Sequence, residues 1–264
     1  MELKCKIFKS APSERGQSAP RFKKQSEIQS SIEKICKKWV VYLERYVDQT
    51  ADLFQKSEFP WEDSERAVIS TLSASISQSF RGSLVLEECS VEKGSNHGRC
   101  DLWATIPELN VAEFPLSFYL EAKKSRVEQS EETLPAFLKS DYGISKLFRD
   151  YAKGKPNNLN QRSTYAKLRS RRHEHYVIGM LITKLRRNVR EPVRIKIVLE
   201  EIFKGILPFE LKSITGETPK MKRRRLDRFP TVALIVIPND SERPGMVAIF
   251  TVLGSTQKLS GQTL

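Results

Sequence analysis

An acid followed two residues later by a lysine occurs at Glu2-Leu3-Lys4, Glu121-Ala122-Lys123 and Glu210-Leu211-Lys212. Only the middle triplet closes a segment of alternating character, Leu116 to Lys123. Side chains alternate faces along a strand, so Leu116, Phe118, Leu120 and Ala122 fall on one side. Ser117, Tyr119, Glu121 and Lys123 fall on the other. The segment Arg99 to Ile106 has the same pattern, with Cys100, Leu102, Ala104 and Ile106 opposed to Asp101, Trp103 and Thr105. Paired as a hairpin, the two strands can bring Asp101 and Glu121 to the same side of a sheet. Adjacent carboxylates repel, and a hard cation between them removes the conflict. Mg2+ takes oxygen ligands, keeps several waters and completes its shell with substrate phosphate; Mn2+ is expected to substitute. The ligands expected here are Asp101, Glu121 and the backbone carbonyl of Ala122. Lys123, next to Glu121, is placed to orient an attacking water and to stabilise charge on a pentacoordinate phosphorus.

The elements that must position these groups follow from local pattern. Residues 1–25 read as a disordered polar lead-in, rich in Ser, Pro and Lys/Arg from residue 9. Residues 26–58 read as a long amphipathic helix, opened by a Ser26-x-x-Gln29 capping box and carried by Ile28, Ile32, Ile35, Trp39, Leu43 and Val47. Pro60 permits a second helix start. Val68, Leu72, Ile76 and Phe80 give that helix a stripe, and Arg81-Gly82 ends it. Three strands are expected, at Leu84–Val91, Arg99–Ile106 and Leu116–Lys123, with a turn at 94–98 and a loop at 107–115. A helix is marked by Ile144, Leu147, Phe148 and Tyr151, and a strand by Tyr176 to Thr183. The segment Val193 to Leu199 reads as either strand or helix. Thr231–Ile237 and Met246–Leu253 form a β-hairpin. The fold class is α/β, a central mixed β-sheet flanked by helices. The core spans residues 59–185. A basic extension, 186–264, is either part of it or an accessory domain.

Asp101, a spacer of nineteen residues and Glu121-Ala122-Lys123, on strands in this order, resemble the PD-(D/E)XK nuclease superfamily, the restriction-endonuclease-like fold. The resemblance covers roughly residues 60 to 185 and includes the order helix, three strands, helix, strand. Cys100 stands where the family pattern has proline. The resemblance implies a Mg2+-dependent endonuclease acting on DNA phosphodiesters in restriction or defence. It also implies a further catalytic acid on the helix before the sheet, assigned to Glu65 with Glu62 in reserve. A catalytically silent DNA-binding module and an RNA-cleaving relative are the alternative readings.

The charge distribution accords with a polyanionic partner. The net charge is +13. Residues 139–228 hold 24 Lys and Arg against 9 Asp and Glu, leaving 21 against 23 elsewhere. Neutralising phosphates releases condensed counterions. The expected contacts are Lys124 and Arg126 beside the site, then Lys153, Lys155, Arg162, Lys167, Arg169, Arg171 and Arg172, then Arg186 and Arg187. An anionic membrane surface is the rival, but no apolar run reaches the length of a span. No secretory signal is visible either, so a cytoplasmic protein is expected. Cys5, Cys36, Cys89 and Cys100 lack zinc-knuckle spacing, and His97, His173 and His175 add no zinc set. A homodimer through the 28–54 helix or the C-terminal hairpin is a further expectation.

Overall fold

The computed structural model describes residues 2–10, 19–93, 96–111, 114–140, 142–144, 175–203 and 230–255. Seven strands form one mixed sheet: β1 (Leu3–Lys9), β2 (Leu84–Lys93), β3 (Asn96–Val111), β4 (Phe114–Lys124), β5 (His175–Leu185), β6 (Thr231–Pro238) and β7 (Gly245–Ser255). Their order across the sheet is β1-β6-β7-β5-β4-β3-β2. All neighbours are antiparallel except β4 and β5, which run parallel. The helices are α1 (Ala19–Phe54), α2 (Pro60–Asp63), α3 (Glu65–Ser79), α4 (Thr133–Lys139) and α5 (Pro192–Phe203).

Two apolar layers explain this arrangement. On one face, Trp39, Leu43 and Val47 of α1 and Val68, Leu72 and Ile76 of α3 pack on Leu102, Leu120, Ile178 and Leu234. On the other, Leu134 and Leu138 of α4 and Ile195 and Leu199 of α5 pack on Leu181, Ile235 and Ile249. With both faces covered, β6 is apolar almost throughout and every residue of it is buried. The indole of Trp39 donates to Thr71 Oγ1 at 3.1 Å, and that of Trp61 to the Pro244 carbonyl at 2.8 Å. Both large side chains are thus buried with their polar atom satisfied.

Several expectations are corrected. The lead-in is not disordered throughout: Leu3–Lys9 is an edge strand paired to β6, with Leu3 and Phe8 buried and Lys4, Lys6 and Lys9 turned to solvent. Lysines on an outer strand discourage further pairing. Helix α1 begins at Ala19, seven residues before Ser26, with Pro20 in its first turn, where a missing N–H costs nothing. Gln29 is no capping partner. Its amide donates to Ser10 O, Ser10 Oγ and Thr231 O at 2.9, 3.0 and 3.2 Å, tying α1 to β1 and β6. Strand β3 runs past Ile106 to Val111, with a register shift between Ile106 and Asn110 where Pro107 withholds a ladder donor. The α4 helix was not anticipated; of the helix expected after it, only Ile144 lies among the described residues. Residues 193–199 are helical, within α5. Strand β7 pairs with β5, so the described part of 186–264 extends the main sheet. Gly82 adopts φ +70° just after α3, a conformation that favours glycine.

Candidate active site

Strand β4 has a neighbour on each side for most of its length. From Leu116 to Leu120 it pairs with β3, the last pair being Leu102↔Leu120. On the other side it stays paired with β5 as far as Lys124↔Ile182. Strand β3 therefore leaves β4 at Asp101, while it remains paired with β2 through Cys89↔Cys100. This parting exposes the β3-facing edge of β4 from Ala122 onward, and buried backbone donors there need acceptors.

Two carboxylates fill that need. Asp101 Oδ2 accepts from the Ala122 N–H at 2.6 Å. Glu65 Oε2, from the first residue of α3, accepts from the Lys124 N–H at 2.6 Å. Ser64 caps α3 by accepting from the Ala67 N–H at 3.0 Å, which fixes where Glu65 emerges. Lys124 Nζ donates to the Asp63 carbonyl at 2.7 Å, so the α2–α3 corner is fastened to β4 twice. Glu121 and Lys123 sit on the same face of β4 and bond directly, Nζ to Oε1 at 2.7 Å. Asp101, Glu121, Lys123 and Glu65 are thereby brought into one cluster at the end of β4.

The cluster's electrostatics are uneven. Burial pushes the Asp101 carboxyl up to about 6, and the charges of Glu121 and Glu65 push the same way against the Ala122 hydrogen bond and Lys123. Burial works against the Lys123 ammonium, but its bond to Glu121 and the charges of Glu121, Asp101 and Glu65 outweigh that, and its pKa is raised. Lys123 is thus a fixed cation at neutral pH and no acceptor of a proton. Burial, with Lys184 nearby, lowers the pKa of Lys124.

Glu62, the reserve acid, lies elsewhere: it pairs with Arg243 at 3.0 Å. Arg126 and Arg186 are exposed. Gln129 exchanges backbone bonds with Lys184 and Arg186 at 2.8 Å each, which fastens the segment after Arg126 to the end of β5. Arg187 lies 3.8 Å from Glu242. Lys124 is occupied by Asp63, so its expected phosphate contact competes with a structural one. Lys153, Lys155, Arg162, Lys167, Arg169, Arg171 and Arg172 lie outside the described residues.

Three features escaped the sequence reading. Thr105 Oγ1, Ser117 Oγ and His175 Nδ1 form a chain, at 2.9 and 2.6 Å. Ser117 is only 2% exposed, so this serine–histidine pair is closed to a substrate. Cys100, expected with Leu102 and Ala104, instead packs with Tyr119 and Trp103. Its thiol lies 3.1 Å from the carbonyl oxygens of both Leu102 and Leu120, which share its single S–H. Finally, Glu88 of β2 is left-handed, with φ +49°, and pairs with Arg66. The face change at Cys100 has no signature in the alternating segment that follows it, and nothing in the β2 residues Leu84-Val85-Leu86-Glu87-Glu88 marks a kink at Glu88.

Among the described residues, no three His, Cys, Asp or Glu side chains are grouped so as to hold a metal ion by themselves. The donor set is smaller: the carboxylates of Asp101 and Glu121, which bond the Ala122 N–H and Lys123 through Oδ2 and Oε1, and the Ala122 carbonyl. That carbonyl points to the same side of β4 as the Ala122 N–H, into the opening. Fold and site together define a mixed α/β protein whose sheet parts beside a carboxylate–lysine cluster. No protein-family model matches the chain, and no curated protein or solved structure matches it.

Proposed function

We propose that this chain is a metal-dependent nuclease of the PD-(D/E)XK type, with a restriction-endonuclease-like core formed by α3, β2–β4, α4 and β5. The observation that carries the reading is the parting of β3 from β4. It gathers Asp101, Glu121, Lys123 and Glu65 around one short stretch of backbone. The residues fit Mg2+ in their chemistry, because a carboxyl pushed up by burial and by two like-charged neighbours is relieved by a cation. Asp101, Glu121 and the Ala122 carbonyl would hold it. When bound, it supplies Lewis-acid polarisation of a phosphoryl oxygen and a more acidic water. Lys123 remains charged and is held by Glu121, so it stabilises the negative charge that builds on phosphorus. Glu65 holds Lys124 and the strand end in place. Arg126, two residues past the end of β4, and Arg186, directly after β5, are exposed and serve as phosphate contacts.

The test is plasmid cleavage in millimolar Mg2+ or Mn2+. Wild type is expected to nick or linearise the plasmid. Asp101→Ala and Lys123→Ala are each expected to lose activity by about 10²–10³-fold or more, the scale of removing one preorganised charge-stabilising group. Undiminished cleavage by both variants would refute the assignment.

A second reading is favoured by one observation. The ionic groups already satisfy one another, Lys123 on Glu121 and the two acids on backbone donors. A DNA-binding module that has lost turnover fits that state. It predicts salt-sensitive DNA binding that ignores chelator, and no heat of Mg2+ or Mn2+ binding by calorimetry. Parallel assays on RNA and DNA separate the RNA-cleaving alternative.

A further inference from the structure

We infer that Glu88 is a positioning residue, whose left-handed backbone interrupts the β2–β3 ladder opposite Asp101 without shifting its register, and so aims the Asp101 carboxylate at β4. Strands β2 and β3 pair regularly on both sides of it, Glu87↔Leu102 and Cys89↔Cys100, but the pair between them, Glu88 and Asp101, is missing. At that step the backbone of Glu88 takes φ +49°, a region that residues with a Cβ seldom adopt. On the partner strand, alternation fails at the same step. Leu102 faces the α1–α3 layer, whereas Cys100, two residues away, packs with Tyr119 and Trp103. The residue between them is Asp101, turned toward the Ala122 N–H in place of a ladder bond.

Helix α3 holds this kink. Arg66 pairs with the Glu88 carboxylate, and Ser70 Oγ donates to Glu87 Oε2 at 2.8 Å. Glu65, the neighbour of Arg66, reaches the other strand at Lys124. One turn of α3 therefore grips β2 with one residue and β4 with the next, and β3 bends between them. A glycine at position 88 would adopt the same φ without strain, and asparagine nearly so. A valine, branched at Cβ, would oppose it. Rescue by glycine separates the backbone role of Glu88 from its ion pair.

The consequence for catalysis rests on the nuclease reading; the positioning itself does not. The test is the amide resonance of Ala122 in the full chain. A short bond to a carboxylate places that proton far downfield and protects it from exchange. Glu88→Val is expected to move it upfield and to speed its exchange roughly tenfold or more. Glu88→Gly and Glu88→Asn are expected to keep both properties. Arg66→Ala should show a weaker form of the valine effect, and adding Glu88→Gly to it should restore the wild-type signal. The inference is overturned if folded Glu88→Val leaves the Ala122 amide in place, or if Glu88→Gly displaces it as far. Should Glu88→Val not fold, Arg66→Ala with and without Glu88→Gly decides the matter. An amide that responds as expected in a chain with no cleavage activity keeps the positioning role and removes the nuclease reading.

Discussion

Asp101 carries opposing demands, and its ionisation makes them measurable. An ordinary aspartate titrates near 3.8, whereas here burial and the neighbouring acids hold the carboxyl at about 6. Between these values the folded chain keeps a proton that the unfolded chain releases. Stability therefore falls as pH rises across that window, and the full cost is present above pH 6. Asp101→Asn cannot ionise and can still accept from Ala122. It is expected to exceed wild type in stability by about 1 kcal/mol at pH 8, since solvent screening reduces the full value of the shift for a half-buried group. Near pH 4 the two should coincide. Urea unfolding at both pH values checks this; equal stability at pH 8 would show that the site is not strained. Under the nuclease reading, Mg2+ is expected to raise the Tm of wild type at pH 8 but not that of Asp101→Asn. Its affinity should weaken as pH falls through 6, because protons compete for the ligand. That Glu121 and Lys123 share a face of β4 was legible because period-two alternation assigns faces; Asp101 meets Ala122 through the break in alternation at Cys100, which the sequence does not announce. Glu88 was not legible either, because a positive φ in a non-glycine residue follows from tertiary bracing.

At the scale of elements, the site depends on where α3 begins. Ser64 caps the helix and Glu65 is its first residue, so the cap sets the direction from which Glu65 approaches Lys124. Ser64→Ala is expected to cost about 1 kcal/mol by urea denaturation, the usual loss of an N-cap. If Glu65 serves the reaction through position, Ser64→Ala should slow cleavage less than Glu65→Gln does. Equal loss in the two would assign the whole effect of Glu65 to the helix start. The periodic stripes of α1, α3, β3 and β4 and the apolar run of β5 were visible in the sequence. Strand β1 has alternation too, Leu3, Cys5 and Ile7 against Lys4 and Lys6, but is short and lies beside a Ser/Pro-rich stretch. Helix α4 has only Leu134 and Leu138 to mark it, a single i,i+4 pair that no local argument distinguishes from a loop.

At the scale of the molecule, the sheet joins distant parts of the chain and charge divides it. The sheet was expected to be mixed; that β1 and the β6–β7 hairpin would belong to it was not determined by local pattern, since pairing between residues 3 and 238 has no local cause. Gln29 makes that joint specific. It is 3% exposed and donates to acceptors on both Ser10 and Thr231. Gln29→Leu removes the side-chain donor to Ser10 O, while Thr231 O keeps the Ser10 N–H at 3.0 Å, and a loss of about 2 kcal/mol in global stability is expected. The charge excess leads to a separate expectation. With +13 overall and the surplus concentrated between residues 139 and 228, duplex binding should be dominated by phosphate neutralisation. A protein neutralising six to ten phosphates loses roughly 10³–10⁵ in affinity between 50 and 200 mM salt. Fluorescence anisotropy of a labelled duplex, in EDTA to suppress cleavage, is expected to give a loss within that range. Arg126→Ala and Arg186→Ala should each lower the slope of log K against log salt by about one, with equal effect on unrelated sequences. A salt-independent affinity would mean that the basic half does not face nucleic acid, and the cluster at the end of β4 would then need a different substrate.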